Sequence, residues 1–124
     1  MRSSAVIVLL LTGACDWIGA PCESNALFGV QVTLTDSATV GPVLADTVWA
    51  RATDGMYADS VRFSNRDRPD PVVHLGFALE RAGTYDVRVG AVGYRPWTLN
   101  GVRVRAGRCH VDPVSLTVKL QPNR

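Results

Sequence analysis

The residues of this chain that could do chemistry are few and scattered. His110 follows Cys109, with Asp112 two residues on. A thiol beside an imidazole suggests an activated nucleophile, because the thiolate is the reactive form and a neighbouring base or cation favours it. The competing reading, taken up below, places Cys109 in a disulfide. His74 alternates with the apolar Val73, Leu75, Phe77 and Leu79 and so reads as an outward-facing surface histidine. Asn65, Asp67 and Asp70 form an oxygen-rich loop of the kind calcium uses. Arg66 and Arg68 are interleaved with them, and a hard cation wants uncompensated carboxylates, so a solvated charged turn is the expectation. Glu23 and Glu80 are the only glutamates, which leaves no glutamate pair for a glycosidase. There is no Gly-x-Ser-x-Gly elbow, no phosphate-cradling glycine loop and no Cys-x-x-Cys. These residues predict no catalytic set, no metal site and no cofactor.

The aromatic residues are the better functional lead. If Val48, Ala50 and Ala52 face a core, Trp49 lies on the wet face with Thr47 and Arg51. Tyr94-Arg95-Pro96-Trp97 places two more aromatics around a turn. Trp and Arg on a surface are the residue types that interaction hot spots use, and sugar rings also stack on indole. Trp49 and Trp97 are therefore the candidate contact residues for a partner. The alternative is that Trp49 packs under a loop while Tyr94 and Trp97 close the end of the fold. A nucleic-acid partner is not expected. The 13 Lys and Arg face 11 Asp and Glu, for a formal charge of +2, and the densest basic cluster is only Arg103, Arg105 and Arg108.

Elements that would position these residues begin after an export signal. Met1-Arg2-Ser3-Ser4 precedes the apolar run Ala5 to Leu11, and small residues follow, which is the order of a secretory signal. The run is too short to span a bilayer, which needs about 20 apolar residues. Leu11-Thr12-Gly13-Ala14-Cys15 resembles the lipobox of bacterial lipoproteins. That resemblance implies cleavage after Ala14, lipidation of Cys15 and anchoring to a bacterial membrane in the cell envelope, on its periplasmic or outer face. Several acyl chains give durable anchoring where one gives only marginal binding. The alternative is an ordinary signal peptide cut near Ala14 or Ala20, leaving Cys15 a thiol. Asp16 resembles an inner-membrane retention signal of some bacteria, and the choice between inner and outer membrane stays open. With Cys15 lipidated, Cys22 and Cys109 remain as a pair, and an even remainder in an oxidising compartment suggests one disulfide. Two separate buried thiols are the other possibility. Residues 15–25 read as a short tether.

Period-two alternation dominates from residue 26 onward. Phe28, Val30, Val32 and Leu34 alternate with Gly29, Gln31, Thr33 and Thr35; Tyr85, Val87, Val89 and Ala91 with Asp86, Arg88 and Gly90; Val114, Leu116, Val118 and Leu120 with Ser115, Thr117, Lys119 and Gln121. Each predicts a strand with one buried and one wet face. Val73 to Leu79 is another, with weaker ones over Val48 to Ala52 and Tyr57 to Phe63. Gly and Pro punctuate the runs at Gly41-Pro42, Asp54-Gly55, Arg66 to Pro71, Ala82-Gly83, Arg95-Pro96 and Ala106-Gly107. Short strands at this spacing predict one all-β domain, an antiparallel sandwich of about seven strands over residues 26–122. Asn100-Gly101 is either a tight hairpin turn or a bulge within a longer strand.

Gly83-Thr-Tyr85-Asp-Val87-Arg-Val89-Gly-Ala-Val-Gly93-Tyr94 is similar to the Gly-x-Tyr-x-Val-x-Val…Gly-Tyr signature of carboxypeptidase regulatory-like domains. Val102-Arg-Val104-Arg-Ala-Gly107 and Leu116-Thr-Val118-Lys-Leu120-Gln-Pro122 continue it, and Asp36 to Val43 resembles the family's early turn. The second strand departs from the family pattern, with Leu44-Ala-Asp-Thr-Val-Trp49 in place of a compact Gly-Ala-x-Val run. The resemblance implies a transthyretin-like (prealbumin-like) Greek-key sandwich and a non-catalytic accessory role. Among enzymes with related sandwiches, hydroxyisourate hydrolases end in Tyr-Arg-Gly-Ser, whereas this chain ends Leu-Gln-Pro-Asn-Arg. Intradiol dioxygenases hold iron with two Tyr and two His at a spacing this chain lacks. The expectation is a membrane-anchored binding module for an envelope protein or polysaccharide. The alternatives are a carbohydrate-binding module of the envelope and a small periplasmic hydrolase.

Overall fold

The structure is a computed structural model that describes residues 21–123; the leader 1–14 and Cys15 lie outside them. Eight strands follow one another: β1 (Phe28–Asp36), β2 (Val48–Asp54), β3 (Tyr57–Phe63), β4 (Val73–Leu79), β5 (Gly83–Ala91), β6 (Trp97–Ala106), β7 (Val111–Asp112) and β8 (Val114–Leu120). They form a sandwich of a three-stranded sheet, order β4-β1-β8, and a five-stranded sheet, order β3-β2-β5-β6-β7. The strand beyond the expected seven is the two-residue β7. All neighbours run antiparallel except β1 and β8, which are parallel, with Val32 opposite Leu116.

The alternating residues do what their period predicts. Val30, Val32 and Leu34 of β1, Val48, Ala50 and Ala52 of β2, Tyr85, Val87 and Val89 of β5, and Val118 and Leu120 of β8 are buried between the sheets. Two positions depart from the pattern. Leu79 is 51% exposed, because Ala78 takes φ 56° and thereby slips the side-chain phase by one, turning its own methyl inward. Asp59 of β3 bridges to that kink, its Oδ2 accepting a hydrogen bond from the Ala78 amide at 3.0 Å. Phe28 is 43% exposed rather than buried with Val30, and its ring occupies the space that a side chain at Gly76 would fill.

Asn100-Gly101 is a bulge, not a hairpin turn. β6 continues through it, and between the Val87–Leu99 and Tyr85–Val102 pairs two residues of β6, Asn100 and Gly101, face one of β5, Asp86. Gly101 sits at φ 72°, where a side chain is strained, and its amide donates to Asp86 Oδ1 at 3.1 Å. The Asn-Gly pair thus supplies its left-handed residue inside a strand, since β5 offers partners on both sides of it.

Two buried polar side chains tie the loops to the sheets. Asp36 ends β1 with its Oδ1 accepting from the Ala38 and Thr39 amides at 2.7 and 3.1 Å, while Oδ2 accepts from the Tyr94 hydroxyl at 2.6 Å. Asp36 and Tyr94, which the sequence places in separate motifs, therefore meet across the end of the sandwich. Asn65 is the second. It donates to the Val43 carbonyl at 2.8 Å and accepts from the Asp70 amide at 2.9 Å. In the expected oxygen-rich loop, Asn65 is consequently occupied with backbone, while Asp67 and Asp70 are exposed.

Candidate functional site

The outer face of the five-stranded sheet brings together residues that sequence alternation places on separate wet faces. Strand registers arrange them in rows. Arg62, Trp49 and Gly90 stand side by side across β3, β2 and β5. The next row is Ser60, Arg51, Arg88 and Thr98, reaching β6. The third is Ala58, Thr53 and Asp86.

Gly90 determines the pose of Trp49. A Cβ on Gly90 would collide with the Cζ2, Cε2 and Nε1 atoms of the indole, so the ring rests on bare backbone and remains half-buried. An aromatic opposite a strand glycine also shields that glycine's backbone from water, so the pair has a structural role whatever it binds. Arg88 places its guanidinium 5.5 Å from the Trp49 ring centroid. At an exposed site such a contact contributes about 0.5–1 kcal/mol. Between the rows lies a groove of about 450 Å³, with Trp49, Arg51 and Arg88 toward one end and Asp86 and Asn100 toward the other. That volume falls within the range of small-molecule sites, roughly 300–1,000 Å³.

Arginine outnumbers carboxylate on this face, with Arg51, Arg62 and Arg88 against Asp86. Arg51 and Arg88 are direct cross-strand partners, and like charges directly opposite each other destabilise a sheet. Among the described residues, the side-chain ion pairs are Arg66–Asp46, Arg81–Asp54 and His110–Glu80; none uses Arg51, Arg62 or Arg88. The one carboxylate in the three rows, Asp86, accepts from the Gly101 amide.

Trp97 lies elsewhere. It pairs with Val89 on the core side of the sheet and packs, half-buried, against the core, beside Pro96 and Lys119 at one end of the sandwich. The two candidate contact residues are thus not brought together. Trp49 is on the open face and Trp97 is at the seam.

Other polar clusters are engaged in structure. Arg81 donates to Asp54 Oδ2 at 3.0 Å and to the Tyr85 hydroxyl at 2.9 Å, and lies over the Tyr57 ring at 4.0 Å. The Tyr85 hydroxyl in turn donates to the Arg81 carbonyl at 2.7 Å, closing the turn between β4 and β5. A wider groove of about 730 Å³ beside Pro42, Leu44 and Val92 has Asp36 and Tyr94 in its wall, already bonded to each other. Among the described residues, no three His, Cys, Asp or Glu side chains are grouped to hold a metal ion.

Cys22 and Cys109 form a disulfide with Cα atoms 5.3 Å apart. Cys109 therefore has no thiol for His110 to activate, and His110 pairs with Glu80 instead. Glu80 gathers the start of the domain and its last strands, accepting from the Leu27 amide at 2.8 Å, from the Val111 amide at 3.1 Å and from His110. The Leu27 hydrogen bond, aided by His110 and Val111, holds the Glu80 carboxyl below its ordinary value of 4.5. A lowered carboxylate pKa contributes stability that is complete above 4.5 and is lost as pH falls through the folded-state value. Acid titration of Tm is therefore expected to show a decline below pH 4.5 that is shallower in Glu80→Gln; the same slope in both proteins would remove this role from Glu80.

No family model, curated protein or solved structure matches this chain.

Proposed function

We propose that this chain is a membrane-anchored lipoprotein of the cell envelope whose β-sandwich serves as a non-catalytic binding module. The face that meets its partner is the outer surface of the five-stranded sheet. One observation carries the reading: Trp49 is seated on Gly90 among Arg51, Arg62 and Arg88, and none of these three arginines is among the ion pairs of the described residues. A surface maintained only for stability would match the Arg51–Arg88 pair with a carboxylate. The lipobox-like Leu11 to Cys15 supports the anchor, and the carboxypeptidase regulatory-like signature around Tyr85 and Tyr94 supports an accessory rather than a catalytic role.

A photo-crosslinking residue placed at Thr98, beside the Trp49 row, tests the face in living cells. An adduct is expected from Thr98, and none from the same residue at His74 on the other sheet. Trp49→Ala is expected to weaken capture by about thirtyfold, which corresponds to the roughly 2 kcal/mol of a hot-spot residue. Equal adducts from Thr98 and His74 would remove the assignment. Intact mass from the membrane fraction tests the anchor: residues 15–124 plus acyl chains is the expected species, and an unlipidated soluble chain would overturn it.

A further inference from the structure

We propose that the Trp49 face binds an acidic polysaccharide through one of its carboxylate-bearing sugar units. The inference rests on reading that face as the binding surface, and it specifies the occupant.

Three features converge on it. The first is shape. The indole rests on Gly90 with no side chain beneath it, which makes a low platform rather than a projecting wedge. A pyranose ring lays its axial C–H bonds on such a platform. A bilayer would call for an aromatic that stands off the surface. The second is charge. Arg51 and Arg88 are opposed across the strands with no carboxylate paired to either, and an anion between them relieves their repulsion. Guanidinium groups are planar forks that match carboxylates two bonds at a time. The third is spacing. Arg51 is two residues from Trp49 on β2, and Arg88 two from Gly90 on β5. Two strand residues span about 7 Å, so both arginines stand beside the ring of a stacked sugar. An equatorial carboxylate leaves that ring in its own plane, toward them. Arg62, on the other side of Trp49, is placed for the charge of a second unit. Asp86 and Asn100, at the far end of the groove, can accept and donate hydrogen bonds with sugar hydroxyls.

The Arg88 guanidinium lies over the indole, 5.5 Å from its centroid, and the Arg88 side chain is exposed. Arg88 leaves it for the carboxylate when the sugar covers the ring.

The test titrates the full chain, as purified, with tetragalacturonate and tetramannuronate at low salt by calorimetry. The methyl-esterified tetragalacturonate, which keeps the sugar and loses the charge, is the control. Binding is expected to weaken at least tenfold on esterification, at least tenfold in Arg51→Ser, and further as salt screens the charges. Because Arg51→Ser also removes a like-charge pair, its Tm is expected to hold or rise while affinity falls, a combination that general unfolding does not produce. Trp49→Phe is expected to weaken both oligouronates without changing the preference for charge. Equal binding of the esterified sugar would overturn the proposal. So would binding to phosphatidylglycerol vesicles with no response to either oligouronate. Absence of saccharide binding with the Thr98 crosslink intact would sink the acidic-sugar assignment and leave the face standing. Absence of both would remove both.

Discussion

Removing the Cys22–Cys109 bridge, by reduction or as Cys22→Ser/Cys109→Ser, is expected to lower the stability of the domain by about 3 kcal/mol. The bridge closes a loop with a sequence separation of 87 residues. In the chain-entropy account a loop of that length limits the unfolded ensemble by about 4–5 kcal/mol. The folded state returns part of that. Cys22 lies in an exposed segment with no strand hydrogen bonds, so on cleavage the stretch before Leu27 regains freedom in the native protein too. The bridge spans the same junction that Glu80 holds, where Leu27 and Val111 converge, so the fold is expected to survive reduction. Thermal unfolding with and without reductant checks this. For a domain of this size, about 3 kcal/mol corresponds to a fall in Tm of roughly 12–24 °C. A fall under a few degrees would show that the bridge restrains only the tether.

Asp36→Ala is expected to have an effect of similar size by a different mechanism. The carboxylate is 3% exposed and accepts from two backbone amides and the Tyr94 hydroxyl. A buried donor left without its acceptor costs about 1–3 kcal/mol. Ala38 and Thr39 are exposed enough for water to take up their amides, so the total is set near 3 kcal/mol rather than at the sum. Tyr94→Phe removes one of these bonds and is expected to cost about 1–2 kcal/mol. Because the two side chains share a bond, the double variant should be less destabilised than the two single variants added together. Urea denaturation of the four proteins measures the coupling. Strict additivity would mean that the Asp36–Tyr94 bond does not hold the end of β1 to the segment after β5.

How much was legible can be judged from single strands. β5 was readable because Tyr85, Val87 and Val89 alternate without a break. The end of β4 was not, because the positive φ of Ala78 reverses the alternation and nothing in the residue type announces it. The same alternation places Phe28 on the core side with Val30. Gly76, opposite Gln31 on the neighbouring strand, offers the ring an outer seat that only strand pairing reveals.

The same division runs through the candidate site. Alternation along the chain specifies an all-β chain, the strand that carries Trp49 and the wet faces that carry Arg51 and Arg88, while cysteine parity suggests one bridge between Cys22 and Cys109 once Cys15 is set aside and leaves two separate thiols open. The strands and their faces are local matters, decided by alternation of apolar and polar residues, whereas the bridge joins residues 87 apart and its formation is shown by the fold. Strand pairing is what seats Trp49 against Gly90, sets Arg51 opposite Arg88 and turns Trp97 to the core. Each depends on register between strands distant in the chain. Register is set by how both faces pack and by the bulge at Gly101, and a slip of one residue sends every side chain to the other face.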